Sequence, residues 1–211
     1  MLHFSNFNFY EKGVTLIEII VVIFLVALFS TIVISDFPKI QRQYALSRAT
    51  YKLAQDFRKT QDMGLSGVRI KDASGNLVSV KGYGIYFNLG QSATKYLIYA
   101  DVNPGNQKFD GSLSTPPPLC SAQTSPTADC LIEEVIDVSQ QNPRLYIKRI
   151  YNVVDPITGF TSVNFNPPGP TMTIDNIYFG NSPIGIVLGL TADNSSSRTV
   201  WVNVAGLINV Q

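Results

Sequence analysis

The sequence predicts an α+β chain, one long N-terminal helix followed by a small antiparallel β domain. Three observations predict it. Residues 14–34 form an unbroken apolar run in which Glu18 is the only charged residue. A helical period of apolar positions continues from Lys39 to about Met63. After Val68 that period stops, and short β-branched and aromatic runs alternate with turn clusters. Helix first and strands afterwards is the element order of an α+β architecture. The 211 residues suffice for one soluble domain plus an anchor.

The apolar run reads VTLIEIIVVIFLVALFSTIVI. As a helix it spans roughly 30 Å, the thickness of a bilayer core. It is longer than the apolar region of a secretory signal peptide, and no small-residue cleavage site follows it. Lys12 precedes it, which places the N-terminal side in the cytoplasm by the positive-inside preference, diluted by Glu11. A lone carboxylate in such a segment is costly without a partner. Glu18 is either an acid tolerated near the cytoplasmic end or one with a cationic partner. A cut between Gly13 and Val14 creates such a partner, an α-amino group four residues before Glu18.

Phe37-Pro38 predicts an interruption or kink, because the residue before a proline is biased away from the helical region. Ser35 or Asp36 caps a restart, with Pro38 in its first turn. In the following segment Leu46, Leu53 and Phe57 form an apolar stripe flanked by Ala49 and Ala54, the pattern of a helix packed on a sheet. Gly64 and Gly67 end it. Strands are expected at 68–70, 77–80, 83–88, 96–100, 131–138, 145–153, 171–179, 184–190, 199–204 and 207–210. Asp72 to Asn76 reads as a hairpin turn, and Ala205-Gly206 closes a terminal hairpin.

Composition excludes several function classes. Lys+Arg 16 against Asp+Glu 15 leaves a net charge of +1, without the basic excess of a nucleic-acid footprint. The chain has one histidine, His3; without the N-terminal segment no histidine-dependent triad or metal site is available. There is no phosphate-binding loop and no dinucleotide fingerprint, and Gly82-Tyr83-Gly84 precedes a strand instead of opening a helix. The chain is not expected to be an enzyme. Cys120 and Cys130 lie in a Pro/Ser/Thr-rich loop; in an exported chain they are expected to form a disulfide, in a reducing compartment two thiols. That loop reads as a surface that touches partners or as an insertion without a role. Asp101, Asn103, Asn106 and Asp110 space four oxygen-bearing side chains through a Gly-containing loop. The choice there lies between a structural Ca²⁺ site, completed by Glu133 or Glu134, and an ordinary Asn/Asp/Gly turn. No other cofactor is expected.

The junction Gly13-Val14-Thr15-Leu16-Ile17-Glu18 resembles the class III leader of type IV pilins and type II secretion pseudopilins. That motif is a Gly, a cleavage point, an apolar first residue, a Glu fifth in the mature chain, and some twenty apolar residues. Val14 stands where Phe or Met is usual, and the leader MLHFSNFNFYEKG is aromatic and nearly uncharged. The resemblance implies cleavage after Gly13 by prepilin peptidase, N-methylation of Val14, and Glu18 as the assembly carboxylate. It implies a leader at 1–13, a transmembrane and filament-core helix at 14–35, an amphipathic helix at 36–66, and a β-rich pilin head at 67–211. The single long helix and the final hairpin look closest to GspH/FimT-like minor pilins.

The implied function is that of a structural subunit of a type IV pilus or type II secretion pseudopilus, assembling with other pilin or pseudopilin subunits. The implied location is the bacterial cytoplasmic membrane, single-pass with the C-terminal domain outside, and then the filament. Some FimT-like minor pilins bind DNA through arginines near the C-terminus. Here no basic residue follows Arg198, so nucleic acid is not expected as a partner. The alternative is a membrane-anchored β domain that never polymerises, an adhesin or a sensor.

Overall fold

The computed structural model describes residues 13–102, 105–152, 156–157, 159–167, 171–175, 182–191 and 193–211. The architecture is α+β: helix α1 (Leu16–Ser66), then thirteen strands among the described residues. Two compact units divide the chain, with the boundary after Gln41. In the first unit the apolar side chains from Val14 to Ile40 are exposed. Of the described helices, α1 is long and apolar enough near its start to cross a membrane.

The expected interruption at Pro38 does not occur. Pro38 lies inside α1, which is helical on both sides of it. Proline removes one backbone bond and crowds the carbonyl four residues back, Ile34. Long helical segments on either side outweigh that local loss.

In the second unit, α1 buries one face: Leu46, Ala49, Thr50, Leu53, Ala54, Phe57, Thr60 and Gly64. The stripe expected from sequence is therefore the core face. Its two threonines are satisfied within the helix. Thr50 Oγ1 donates to the Leu46 carbonyl and Thr60 Oγ1 to the Asp56 carbonyl, both at 2.7 Å. Asp56 is buried on the same face; it accepts from the Tyr96 hydroxyl at 2.5 Å and from Lys52 Nζ at 3.2 Å. That pair fixes the rotation of the helix on the sheet, because a buried carboxylate without donors is strongly disfavoured.

The strands form three antiparallel sheets. A small hairpin joins β1 (Ile70–Lys71) to β2 (Leu77–Val78) around the expected turn, with Gly75 at φ 81°. The first large sheet runs β10 (Thr171–Ile174), β9 (Phe160–Asn166), β3 (Gly82–Asn88), β4 (Lys95–Asp101), β5 (Cys130–Leu131), and β6 (Ile136–Asp137) also pairs with β4. The second runs β13 (Ile208–Val210), β12 (Asp193–Val202), β11 (Ile184–Leu190), β7 (Leu145–Asn152), β8 (Pro156–Ile157). Helix face, Ile85, Phe87, Tyr96, Ile98 and Val163 of the first sheet, and Ile147, Ile186, Leu188 and Val200 of the second share one apolar core.

Several expectations shift. The run 131–138 is broken into β5 and β6. Residues 176–179 of the expected strand 171–179 lie outside the described residues. The strand expected at 199–204 begins earlier, at Asp193. Strand β9 was not expected at all. Its Phe-Thr-Ser-Val-Asn-Phe-Asn sequence puts Ser162, Asn164 and Asn166 on one face, and polar residues argue against a buried strand. Pairing on both edges, to β3 and β10, overrides that weak preference.

Strands β3 and β4 are buried almost throughout because the first sheet is covered on both faces. On its outer face Phe109, Leu113 and Leu131 pack on Tyr86, Leu97 and Tyr99. Phe109, Leu113 and Leu131 thus cover part of the sheet, while most of residues 114–128 stay exposed.

Phe57→Ala is expected to cost about 3–5 kcal/mol in a denaturant melt, the usual price of emptying a buried aromatic site. Gly64→Ala should cost about 1–3 kcal/mol, because a Cβ there meets the Phe165 carbonyl oxygen at 2.6 Å and backbone cannot yield cheaply.

Candidate functional site

The N-terminal junction is built by helix capping. Residues 13–15 are non-helical and α1 begins at Leu16. Thr15 is the N-cap and Glu18 sits three residues on. The Thr15 N–H and hydroxyl both donate to Glu18 Oε2 at 3.0 Å, and the Glu18 N–H donates to Thr15 Oγ1 at 3.3 Å. This reciprocal pair is a capping box, and the T-x-x-E pattern in the sequence signals it. It answers the cost of the lone carboxylate in the uncut chain: Glu18 has donors on its own first turn.

Gly13 and Val14 lie just outside the cap and are exposed. Nothing stands within 4 Å of where a Gly13 side chain would begin. Among the described residues the Gly13–Val14 peptide is therefore exposed, in non-helical backbone next to a defined helix start. A cut there leaves an ammonium at the positive end of the helix dipole, where a carboxylate on the first turn is the natural counter-charge. The rest of the leader lies outside the described residues.

Residues 8–34 match the family model described as the prokaryotic N-terminal methylation motif. The chain thus carries the class III prepilin leader of type IV pilins and pseudopilins, and the long apolar helix fits it. The match marks a prepilin-type substrate by its N-terminal motif, and the β domain lies beyond the matched residues. No curated protein and no solved structure matches the chain.

The second candidate site is the loop after β4. Cys120 and Cys130 are joined by a disulfide, as expected for an exported chain. Of the four oxygen-bearing residues, Asp101, Asn106 and Asp110 are among the described ones. Asn103 lies outside the described residues. Asn106 Nδ2 donates to both oxygens of Asp110 at 2.9 and 3.1 Å, on the exposed side. Asp101 is on the inside, with a fractional exposure of 0%. Its Oδ2 accepts from the Gln107 N–H at 2.7 Å and from Asn164 Nδ2 at 3.5 Å. Glu133 is held by Lys59 of the helix, away from this loop.

The sequence reading missed Asp129. Its Oδ1 accepts from the Val102 N–H at 3.2 Å and its Oδ2 from the Asp110 N–H at 2.9 Å. Ala100 pairs with Cys130, so the register carried one residue further sets Asp101 opposite Asp129. Burial, with the Asp101 and Asp110 carboxylates beside it, pushes Asp129 up to about 7 against the pull of two backbone donors. Burial also raises Asp101. As placed, no three acidic, histidine or cysteine side chains among the described residues converge to hold one metal ion.

Thr15→Ala removes both bonds that Thr15 makes through its hydroxyl. In the detergent-solubilised chain the Glu18 amide should exchange its hydrogen about fivefold faster, from a loss of about 1 kcal/mol at the first turn, and Thr15→Ser should restore protection.

Proposed function

We propose that this chain is a structural subunit of a type IV pilus or a type II secretion pseudopilus. Prepilin peptidase cuts it after Gly13 and methylates the new terminus at Val14. The single observation that carries this reading is the capped junction: an exposed Gly13–Val14 peptide, a helix that starts at Leu16, and Glu18 on its first turn at the head of an apolar run.

The mechanism follows from charge. In the uncut chain Glu18 is satisfied by Thr15. Processing adds a cationic terminus without adding a second anion. In a dry bundle of apolar helices, an ammonium and a carboxylate must pair, within one chain or between neighbours. Pairing between neighbours sets their axial register. The exposed apolar side chains from Leu16 to Ile34 supply packing area that the monomer leaves unused. The β domain, residues 67–211, stays outside the filament core. The amphipathic part of α1 supports that head, in keeping with segments at 14–35 and 36–66.

Mass spectrometry of the membrane-extracted protein from peptidase-positive cells should show a mature chain beginning at N-methylated Val14. An intact Met1 terminus would sink the reading. Glu18→Ala should still be processed yet enter sheared filaments at least about tenfold less, since removing one partner leaves the other charge buried and unpaired. Unchanged incorporation would favour a non-polymerising anchored β domain, an adhesin or a sensor.

A further inference from the structure

Strand β12 carries an arginine on its core face. Val200 and Val202 are buried in the core, and the two-residue alternation of the strand puts Arg198 on the same side. Its register partner on β11, Leu188, is fully buried. Arg198 is itself half-buried. It lines an open cleft of about 260 Å³, together with Gln43 and Leu46 of α1 and with Ser195, Ser196 and Ser197.

Among the described residues no carboxylate forms an ion pair with Arg198. Asp193, the acid on the same strand, is already engaged: its two oxygens accept from the Ser195 and Ser196 hydroxyls. A guanidinium drawn partly out of water without an acid is held there at a cost that a counter-charge removes. Arg198 is the one charged residue among those described in the lining, so the complement of the cleft is an anion. A guanidinium has donors in a fixed fork and takes a carboxylate through two bonds.

The chain itself carries a matching carboxylate. Of the acids on α1, Glu18 is bonded by Thr15, and Asp56 by Tyr96 and Lys52. Asp36 and Asp62 remain, both exposed and neither in an ion pair among the described residues. The pairing in the proposed function decides between them. When the Val14 ammonium of one copy meets Glu18 of the next, parallel helices are displaced by four residues, about 6 Å. Asp36 of the first copy then stands level with Ile40 of the second, within one helical turn of Gln43 at the cleft. Asp62 stands level with Ser66, at the far end of α1.

We propose that Asp36 of one copy enters the cleft of its neighbour and pairs with Arg198, with the Ser197 hydroxyl as a further donor. The inference rests on the filament-subunit reading and adds to it a contact between the helix of one subunit and the head of the next. A contact at Glu18 alone sets the level of two helices and leaves rotation about their axes open. A second contact, from helix to head, closes that freedom.

The test is made on the full chain in the cells that produce it, with sheared filaments as the readout. Arg198→Glu should be processed to the same mature terminus and enter filaments at least about tenfold less, because it sets two acids against each other. Asp36→Arg should show the same loss, and the two changes together should restore incorporation to within about threefold of the unaltered chain. A second measurement leaves Arg198 in place. Asp36→Cys with Ser197→Cys, treated with a short bismaleimide, should give covalent dimers and longer ladders, well above the yield from either single variant. Undiminished assembly of Arg198→Glu overturns the proposal. So does a loss that Asp36→Arg fails to relieve, or a double-cysteine chain that crosslinks no more than the single variants. Failure of the subunit reading looks different: the unaltered chain is then absent from filaments, and Glu18→Ala changes nothing.

Discussion

The buried face of α1 between Leu46 and Gly64 is the constraint on which the rest of the β domain depends. Both large sheets close on it, and their inner residues share its core. The apolar stripe supplies most of the driving force, since burial of Leu53, Phe57 and their neighbours is complete. A stripe alone does not fix rotation. The Tyr96 hydroxyl, donating from the sheet to the buried Asp56, does so with a polar contact that a turned helix would lose, and Lys52 on the same helix gives the carboxylate its counter-charge. Gly64 then lets the end of the helix approach the backbone of β9 at Phe165.

The same helix begins under a different constraint. Its first half exposes its apolar side chains among the described residues, and its first turn carries one acid. The capping box resolves the acid locally, by giving Glu18 the donors of Thr15. In the proposed function the same carboxylate would be a cap before processing and a counter-charge after it. The matched motif lies within residues 8–34, apart from the β domain.

The first sheet is unusual in being covered on both faces, and its two faces differ. The inner one is apolar. The outer one mixes Tyr86, Leu97 and Tyr99 with Asp101, Ser162 and Asn164, under a segment stapled by Cys120–Cys130. Removing the disulfide releases a loop of about ten residues, worth about 2–3 kcal/mol in the chain-entropy model. The staple and the hydrogen bonds of Asp101 and Asp129 to loop backbone together hold the cover in place.

Sequence by itself determined the α+β order, the apolar run, the junction at Gly13–Val14 with Glu18, the core stripe of α1 and the closing hairpins. Each of these is written in local periodicity, spacing or turn chemistry, which neighbours in the chain decide. It also held the Thr15 cap, legible as T-x-x-E though easily passed over beside the more conspicuous acid. Only the tertiary structure decided the existence of β9 and the meeting of Asp101 with Asp129 and Asn164. Those depend on partners far apart in the chain. A polar strand such as Phe160–Asn166 becomes a strand because two others flank it, and Asp101 at the end of β4 comes opposite Asp129, just before β5, because the strand register brings them there.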